Sequence, residues 1–150
     1  VQKVVSSKIK EIEALLLQEP LALEAAIEAL RTVGTPLIEE VSGYSRFLWV
    51  THFYYANQPV EHVAVYESHI PFNEERALLE PIAGTSLYAK TTIVPYNQVV
   101  HYGFSINDSL QAVCDQRMKQ LVLDPFNPFQ EEQTFDGLTL SVFQTPDKRI

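Results

Sequence analysis

At 150 residues the chain has the length of one domain with its own core, and 46% hydrophobic and 20% charged residues are ordinary globular proportions. The formal net charge of −8, with scattered basic residues, excludes sequence-independent nucleic-acid binding, because phosphate neutralisation needs a positive footprint. Cys114 is the only cysteine, which excludes an internal disulfide and a cysteine metal cage and points to a reducing cytoplasm, and no apolar run is long enough to span a bilayer.

The chain opens V-Q-K-V-V-S-S-K-I-K, which lacks the basic-then-apolar layout of a signal peptide. Its first residue is Val rather than Met, which points to a processed or trimmed chain. Val5, Ile9, Ile12 and Leu16 recur at spacings of four, three and four, one apolar stripe on a helix. Ser6 or Ser7 caps its start, and Glu19-Pro20 ends it while opening a second helix. Leu23, Ile27, Leu30 and Val33 form that helix's stripe, and Gly34 stops it. Two short helices joined at a proline make a helical hairpin or an L-shaped pair.

After Thr35-Pro36 the period changes to two. Residues 47–55, F-L-W-V-T-H-F-Y-Y, place Phe47, Trp49, Thr51, Phe53 and Tyr55 on one face and Leu48, Val50, His52 and Tyr54 on the other. Period-two alternation predicts burial for one whole face. Asn57-Gln58-Pro59 is a turn, E-H-V-A-V-Y-E a partner strand, and residues 70–86 a polar loop. Two further strands, L-Y-A-K-T-T-I-V and V-V-H-Y-G-F-S-I-N, flank Pro95-Tyr96-Asn97. Residues 109–121 read as a helical turn or a long loop, and G-L-T-L-S-V-F is a last strand. Short strands separated by turns, without long helices between them, predict an antiparallel β-sandwich rather than a βαβ fold.

The search for chemistry is mostly negative. A nucleophile elbow needs Gly-x-Ser-x-Gly, because a sharp strand-to-helix turn tolerates only small neighbours around the serine. None of Gly34, Gly43, Gly84, Gly103 or Gly137 flanks a serine in that spacing, so no catalytic residue is assigned. His52, His62, His69 and His101 show no helical i,i+4 pair and read as surface or sheet-face histidines, with no metal site. The doublets Glu39-Glu40, Glu74-Glu75 and Glu131-Glu132 read as solvated edges, and Cys114 as a lone buried thiol. Trp49, Phe53, Tyr54, Tyr55, Tyr66, Tyr88 and Tyr102 have two readings: core packing, or the lining of a groove for a sugar or aromatic ligand. In the second, Tyr55, Tyr88 and Lys90 are the ligand-facing candidates.

The stretch L-V-L-D-P-F-N-P-F, residues 121–129, reads as a structural corner rather than a catalytic centre. Pro125 and Pro128 fix φ and remove N–H groups that a strand would need to pair, while Asp124 bonds its own following backbone as an Asx-turn. Phe126 and Phe129 then anchor the corner in the sandwich or against a neighbouring domain.

With that corner in place the chain resembles the N-terminal domain of the enterochelin (ferric enterobactin) esterases. The resemblance begins at G-T-P-L-I-E, residues 34–39, and runs through V-T-H-F-Y-Y-A, A-G-T-S-L-Y-A-K-T-T-I-V-P and V-V-H-Y-G-F. Asp124, Pro125, Asn127 and Pro128 match the family's D-P-L-N-P corner. It implies an immunoglobulin-like, early-set sandwich over residues 35–150 after a helical extension over residues 1–34. It also implies a non-catalytic, cytoplasmic accessory domain whose partner is a C-terminal α/β-hydrolase of the same protein, with a ferric siderophore as ligand, no cofactor, no nucleic acid and no membrane. Three departures stand out: Tyr55 where the family commonly has arginine, Leu87-Tyr88 where it has tryptophan, and Ala56 in place of glycine. A lost arginine and an acidic balance imply a ligand other than ferric enterobactin. Two further readings stay open. One is a stand-alone sandwich module binding a carbohydrate or other small ligand. The other is a structural or dimerising domain with the helices as the contact.

Overall fold

The computed structural model describes residues 5–40, 46–68, 78–107, 121–132 and 139–147. Helix α1 spans Ser7–Gln18, and the Ser6 side chain caps it by accepting from the Lys8 N–H at 3.1 Å. The Ser6 N–H donates to Thr91 Oγ1 at 3.1 Å, which fastens the start of the helix to the sheet beneath it. A 3₁₀ turn, Pro20–Ala22, leads into α2, Leu23–Val33. Gly34 ends α2 at φ 85°, its N–H donating to the Leu30 carbonyl at 2.8 Å. The expected stripe of α2 is corrected at its last member. Ala26, Ile27 and Leu30 are buried, but Val33 is 72% exposed.

Among the described residues nine strands follow: β1 Leu37–Glu40, β2 Phe47–Tyr55, β3 Val63–Glu67, β4 Glu80–Pro81, β5 Leu87–Pro95, β6 Val99–Ile106, β7 Leu121–Val122, β8 Gln130–Glu132 and β9 Thr139–Gln144. They form a four-stranded sheet in the order β1-β2-β5-β4 and a five-stranded sheet in the order β3-β6-β9-β8, with β7 also paired to β6. Every strand pair is antiparallel, so the chain is mainly β, a two-sheet sandwich-like arrangement preceded by two short helices. Along its β3 edge β6 is paired from Tyr102 to Ile106. Its other edge pairs first with β9, at Val99 to Tyr102, and then with β7, at Phe104 and Ser105. Gly103 sits at that handover, where a Cβ would lie 3.1 Å from Leu121 Cβ and 3.2 Å from Leu140 Cδ2.

The β2 alternation holds, but the expectation of a single buried face does not. Phe53, Leu87 and Ala89 pack with Ile12, Leu16, Ile27 and Leu30 of the helices. Val50 and Val94, pointing the other way, pack with Val63, Val65, Tyr102, Phe104 and Phe143 of the second sheet. The first sheet is thus a middle layer, and Leu48, Val50, Thr51, His52 and Phe53 are all fully buried. Burying a side chain the size of Phe53 or Leu87 stabilises by about 1.5–3 kcal/mol, so two covered faces make this sheet the thermodynamic centre of the domain. The aromatic strand residues accordingly pack within the domain: Tyr54 and Tyr102 both contact Phe104, at centroid separations of 5.3 and 6.1 Å.

No helix among the described residues is long and apolar enough to cross a membrane. His69, Glu74-Glu75, Cys114 and nearly all of the 109–121 segment lie outside the described residues.

Candidate functional site

The D-P-F-N-P corner follows β7 and is a closed polar knot. Asp124 is 2% exposed, and its Oδ1 accepts the Phe126 N–H at 3.0 Å, the Asx-turn that the sequence predicts. Its Oδ2 accepts from two hydroxyls, Thr35 Oγ1 and Tyr102 OH, each at 2.6 Å. Its own N–H donates to Ser141 Oγ at 2.8 Å. Asn127 carries the second half of the knot. Its Nδ2 donates to Tyr102 OH at 3.0 Å and to the Val142 carbonyl at 2.9 Å, while its Oδ1 accepts the Phe129 N–H at 2.9 Å. Pro125 and Pro128 are exposed and have no N–H to satisfy.

Burial pushes the Asp124 carboxyl above the ordinary carboxylate range, and the hydrogen bonds from Thr35, Tyr102 and the Phe126 N–H oppose that rise. Burial also pushes the Tyr102 phenol up, and the neighbouring Asp124 charge adds to the effect. Three donors on one carboxylate suit the ionised form. The knot is closed to solvent, so what these groups do is hold backbone: Asp124, β6, β9 and the α2–β1 connection meet at one carboxylate.

Phe126 and Phe129 take opposite roles. Phe126 is 4% exposed and belongs to the cluster under the helices, whereas Phe129 is 69% exposed. Between the C-terminus of α2 and the corner lies an open groove of about 460 Å³, walled by Val33, Pro36, Phe126, Pro128, Phe129 and Phe143.

The three ligand-facing candidates do not converge. Tyr55 stands opposite Leu87 and packs toward the helices, while Tyr88 stands opposite Tyr54 and packs into the space between the sheets. Lys90, opposite His52 on β2, lines a smaller cleft of about 190 Å³ shared with Ile9 and Glu13 of α1 and Glu80 of β4. Neither tyrosine lines that cleft.

One buried polar pair escaped the sequence reading. His52 Nε2 lies 2.9 Å from Glu67 Oε2, which also accepts from Thr92 Oγ1 at 3.1 Å. Both side chains are almost wholly buried, and the imidazole packs 4.9 Å from the Tyr102 ring. His52 Nδ1 meets no hydrogen-bond partner among the described residues. The pair joins β2 and β5 of one sheet to β3 of the other. A histidine inside L-W-V-T-H-F-Y and a carboxylate closing V-A-V-Y-E were the available signals. His101 makes a more exposed contact, Nε2 to Glu131 Oε2 at 3.1 Å. Among the described residues no three His, Cys, Asp or Glu side chains come together to hold a metal ion.

No family model and no curated protein matches the chain. Solved structures do. The enterobactin esterase of Shigella flexneri, solved in the presence of 2,3-dihydroxy-N-benzoyl-serine, aligns with a TM-score of 0.63 at 17% identity, over 82% of this chain and 36% of that one. The same esterase in the presence of enterobactin aligns with a TM-score of 0.62 at 18% identity, over 78% and 34%. The ferric enterobactin esterase of Salmonella typhimurium aligns with a TM-score of 0.60 at 18% identity, over 82% and 37%. The chain spans about a third of the length of the structures it matches, and at this identity the likeness is one of fold: most of this chain folds as part of an enterobactin esterase does.

Proposed function

We propose that the chain is the non-catalytic N-terminal accessory domain of an enterochelin esterase-like hydrolase that takes part in the cytoplasmic breakdown of a ferric siderophore. The observation that carries this reading is the fold shared with enterobactin esterases over 82% of this chain but 36% of theirs. In this reading the sandwich is of the immunoglobulin-like, early-set kind, and catalysis belongs to an α/β-hydrolase partner in the same polypeptide. The D-P-F-N-P corner supports it through the knot it builds, and the sequence offers no nucleophile elbow. Tyr55, where the resembled family commonly has arginine, and a net charge of −8 favour a siderophore less anionic than ferric enterobactin. The stand-alone binding module finds less support, because Phe53, Tyr54, Tyr55, Tyr88 and Tyr102 all pack in the two apolar clusters.

The test is an ester-hydrolysis assay on the 150-residue chain with enterobactin and its ferric complex, followed by titration of its tyrosine and tryptophan fluorescence. No turnover is expected, with at most weak quenching. Turnover by this chain alone overturns the reading, because the reading assigns the nucleophile to the partner domain.

A further inference from the structure

The corner fixes an aromatic residue that its own domain does not use. The Phe129 N–H donates to Asn127 Oδ1 at 2.9 Å, and its carbonyl accepts the Val142 N–H at 3.1 Å. Asn127 is itself held by Tyr102 and Val142. The backbone under Phe129 is therefore pinned on both sides, yet the ring stays 69% exposed. Across the groove Val33 ends α2 at 72% exposure, and Phe126 and Phe143 supply a buried apolar floor. Arg31 stands at the rim, its guanidinium 5.7 Å from the Phe126 ring centroid. An exposed aromatic on a rigid backbone has already lost most of the freedom that binding would take from it. A body closing over it therefore gains apolar burial at small conformational cost, the property of an interface anchor. Leu17 and Leu21, also exposed, line neither this groove nor the smaller cleft.

We infer that the groove between the α2 C-terminus and the D-P-F-N-P corner is a docking surface, centred on Phe129 and Val33, for an apolar face of the further domain carried on the same polypeptide. This inference rests on the accessory-domain reading and adds to it where the two bodies meet. The occupant follows from length: in the matched esterases this fold makes up 34–37% of the chain, so it is tethered there to a body about twice its size. The groove, about 460 Å³ against about 190 Å³ for the cleft beside Lys90, sets the exposed apolar side chains of Val33 and Phe129 among polar ones such as Thr32 and Gln144.

Hydroxyl-radical footprinting tests it, comparing oxidation of Phe129 and Val33 in the 150-residue chain with that in the product of the longest reading frame containing it. Several-fold slower oxidation of both residues in the longer product is the expected result. Equal rates in the two proteins overturn the docking surface and leave the accessory-domain reading standing. A reading frame that ends at Ile150 overturns both. Protection that appears in the short chain alone as its concentration rises assigns the groove to a second copy and overturns the proposed occupant. In addition, Phe129→Ser should leave the melting temperature of the short chain unchanged and lower that of the longer product. An equal drop in both would show that the ring works within its own domain, against the inference.

Discussion

Tyr102→Phe removes one oxygen from the middle of the knot and leaves the ring in place. The hydroxyl donates to Asp124 Oδ2 at 2.6 Å and accepts from Asn127 Nδ2 at 3.0 Å. Asn127 keeps its bond to the Val142 carbonyl, so the amide is not orphaned. Asp124 keeps Thr35 Oγ1 and the Phe126 N–H but loses a third donor in a site closed to water. A hydrogen bond to a charged group contributes about 1.5–3 kcal/mol, and the neutral bond to Asn127 adds up to about 1 kcal/mol. The ring contacts, 4.9 Å to His52 and 5.5 Å to Phe143, survive the change, so packing adds little to the loss. The expected destabilisation is about 2–3 kcal/mol, a fall in melting temperature of about 4–12 °C for a domain of this size. Urea unfolding at pH 7, followed by the fluorescence of the single tryptophan, Trp49, measures it. A loss below about 0.5 kcal/mol would refute the idea that the knot holds the corner, since an exposed hydroxyl costs no more than that. A double-mutant cycle with Asp124→Asn should show strong non-additivity, because both changes cut the same bond.

Three further outcomes are expected. Burial raises the folded-state Asp124 carboxyl above its ordinary value of 3.8, so its contribution to stability is full below that value and declines as pH rises through the folded-state one. The stability difference between wild type and Asp124→Asn should therefore shift against the wild type as pH rises above about 4 and then level off; a pH-independent difference between their urea midpoints would contradict this. Gly103→Ala places a Cβ 3.1 Å from Leu121 Cβ and should cost about 1–3 kcal/mol by urea unfolding, whereas a neutral result would mean that β7 moves aside freely. Glu67→Ala takes the partner from His52 Nε2 and the acceptor from Thr92 Oγ1 inside the sandwich and should cost about 1–3 kcal/mol for each group left unpaired; a total cost under about 1 kcal/mol would show that water reaches the pair.

Legibility tracked length and periodicity. Strand β2 is found at the bounds that its alternation predicts, and β5 and β6 end within one residue of theirs, because eight or nine residues show a period clearly. Strands β1, β4, β7 and β8 have two to four residues each, too few to carry a period, and exist only because a longer neighbour offers them an edge. The same limit applies to the site. The Asx-turn at Asp124 was readable because its acceptor and donor are two residues apart. Its ties to Thr35 and Tyr102 span 89 and 22 residues, and only the assembled sheets bring those hydroxyls to it. Tyr55 and Tyr88 belong to faces that only register decides. With Tyr54 opposite Tyr88, Tyr55 must point the other way.

The two buried carboxylates solve a problem that apolar packing leaves open. Backbone pairing fixes neighbours within a sheet, but between layers the main attraction is the hydrophobic effect, which has no direction and permits sliding. Glu67 on β3 accepts from His52 on β2 and Thr92 on β5, and so ties one sheet to the other at a single point. Asp124 accepts from Tyr102 on β6 and from Thr35 in the α2–β1 connection, a second tie that adjoins the first where the Tyr102 ring packs 4.9 Å from His52. Both ties oppose sliding between the layers, and each can do so only while buried, where its hydrogen bonds are strong and a missing partner is costly. Val33 belongs to the helical layer, and Phe129 to the corner beside β9. That the two face each other across one groove is therefore a consequence of where Asp124 sits.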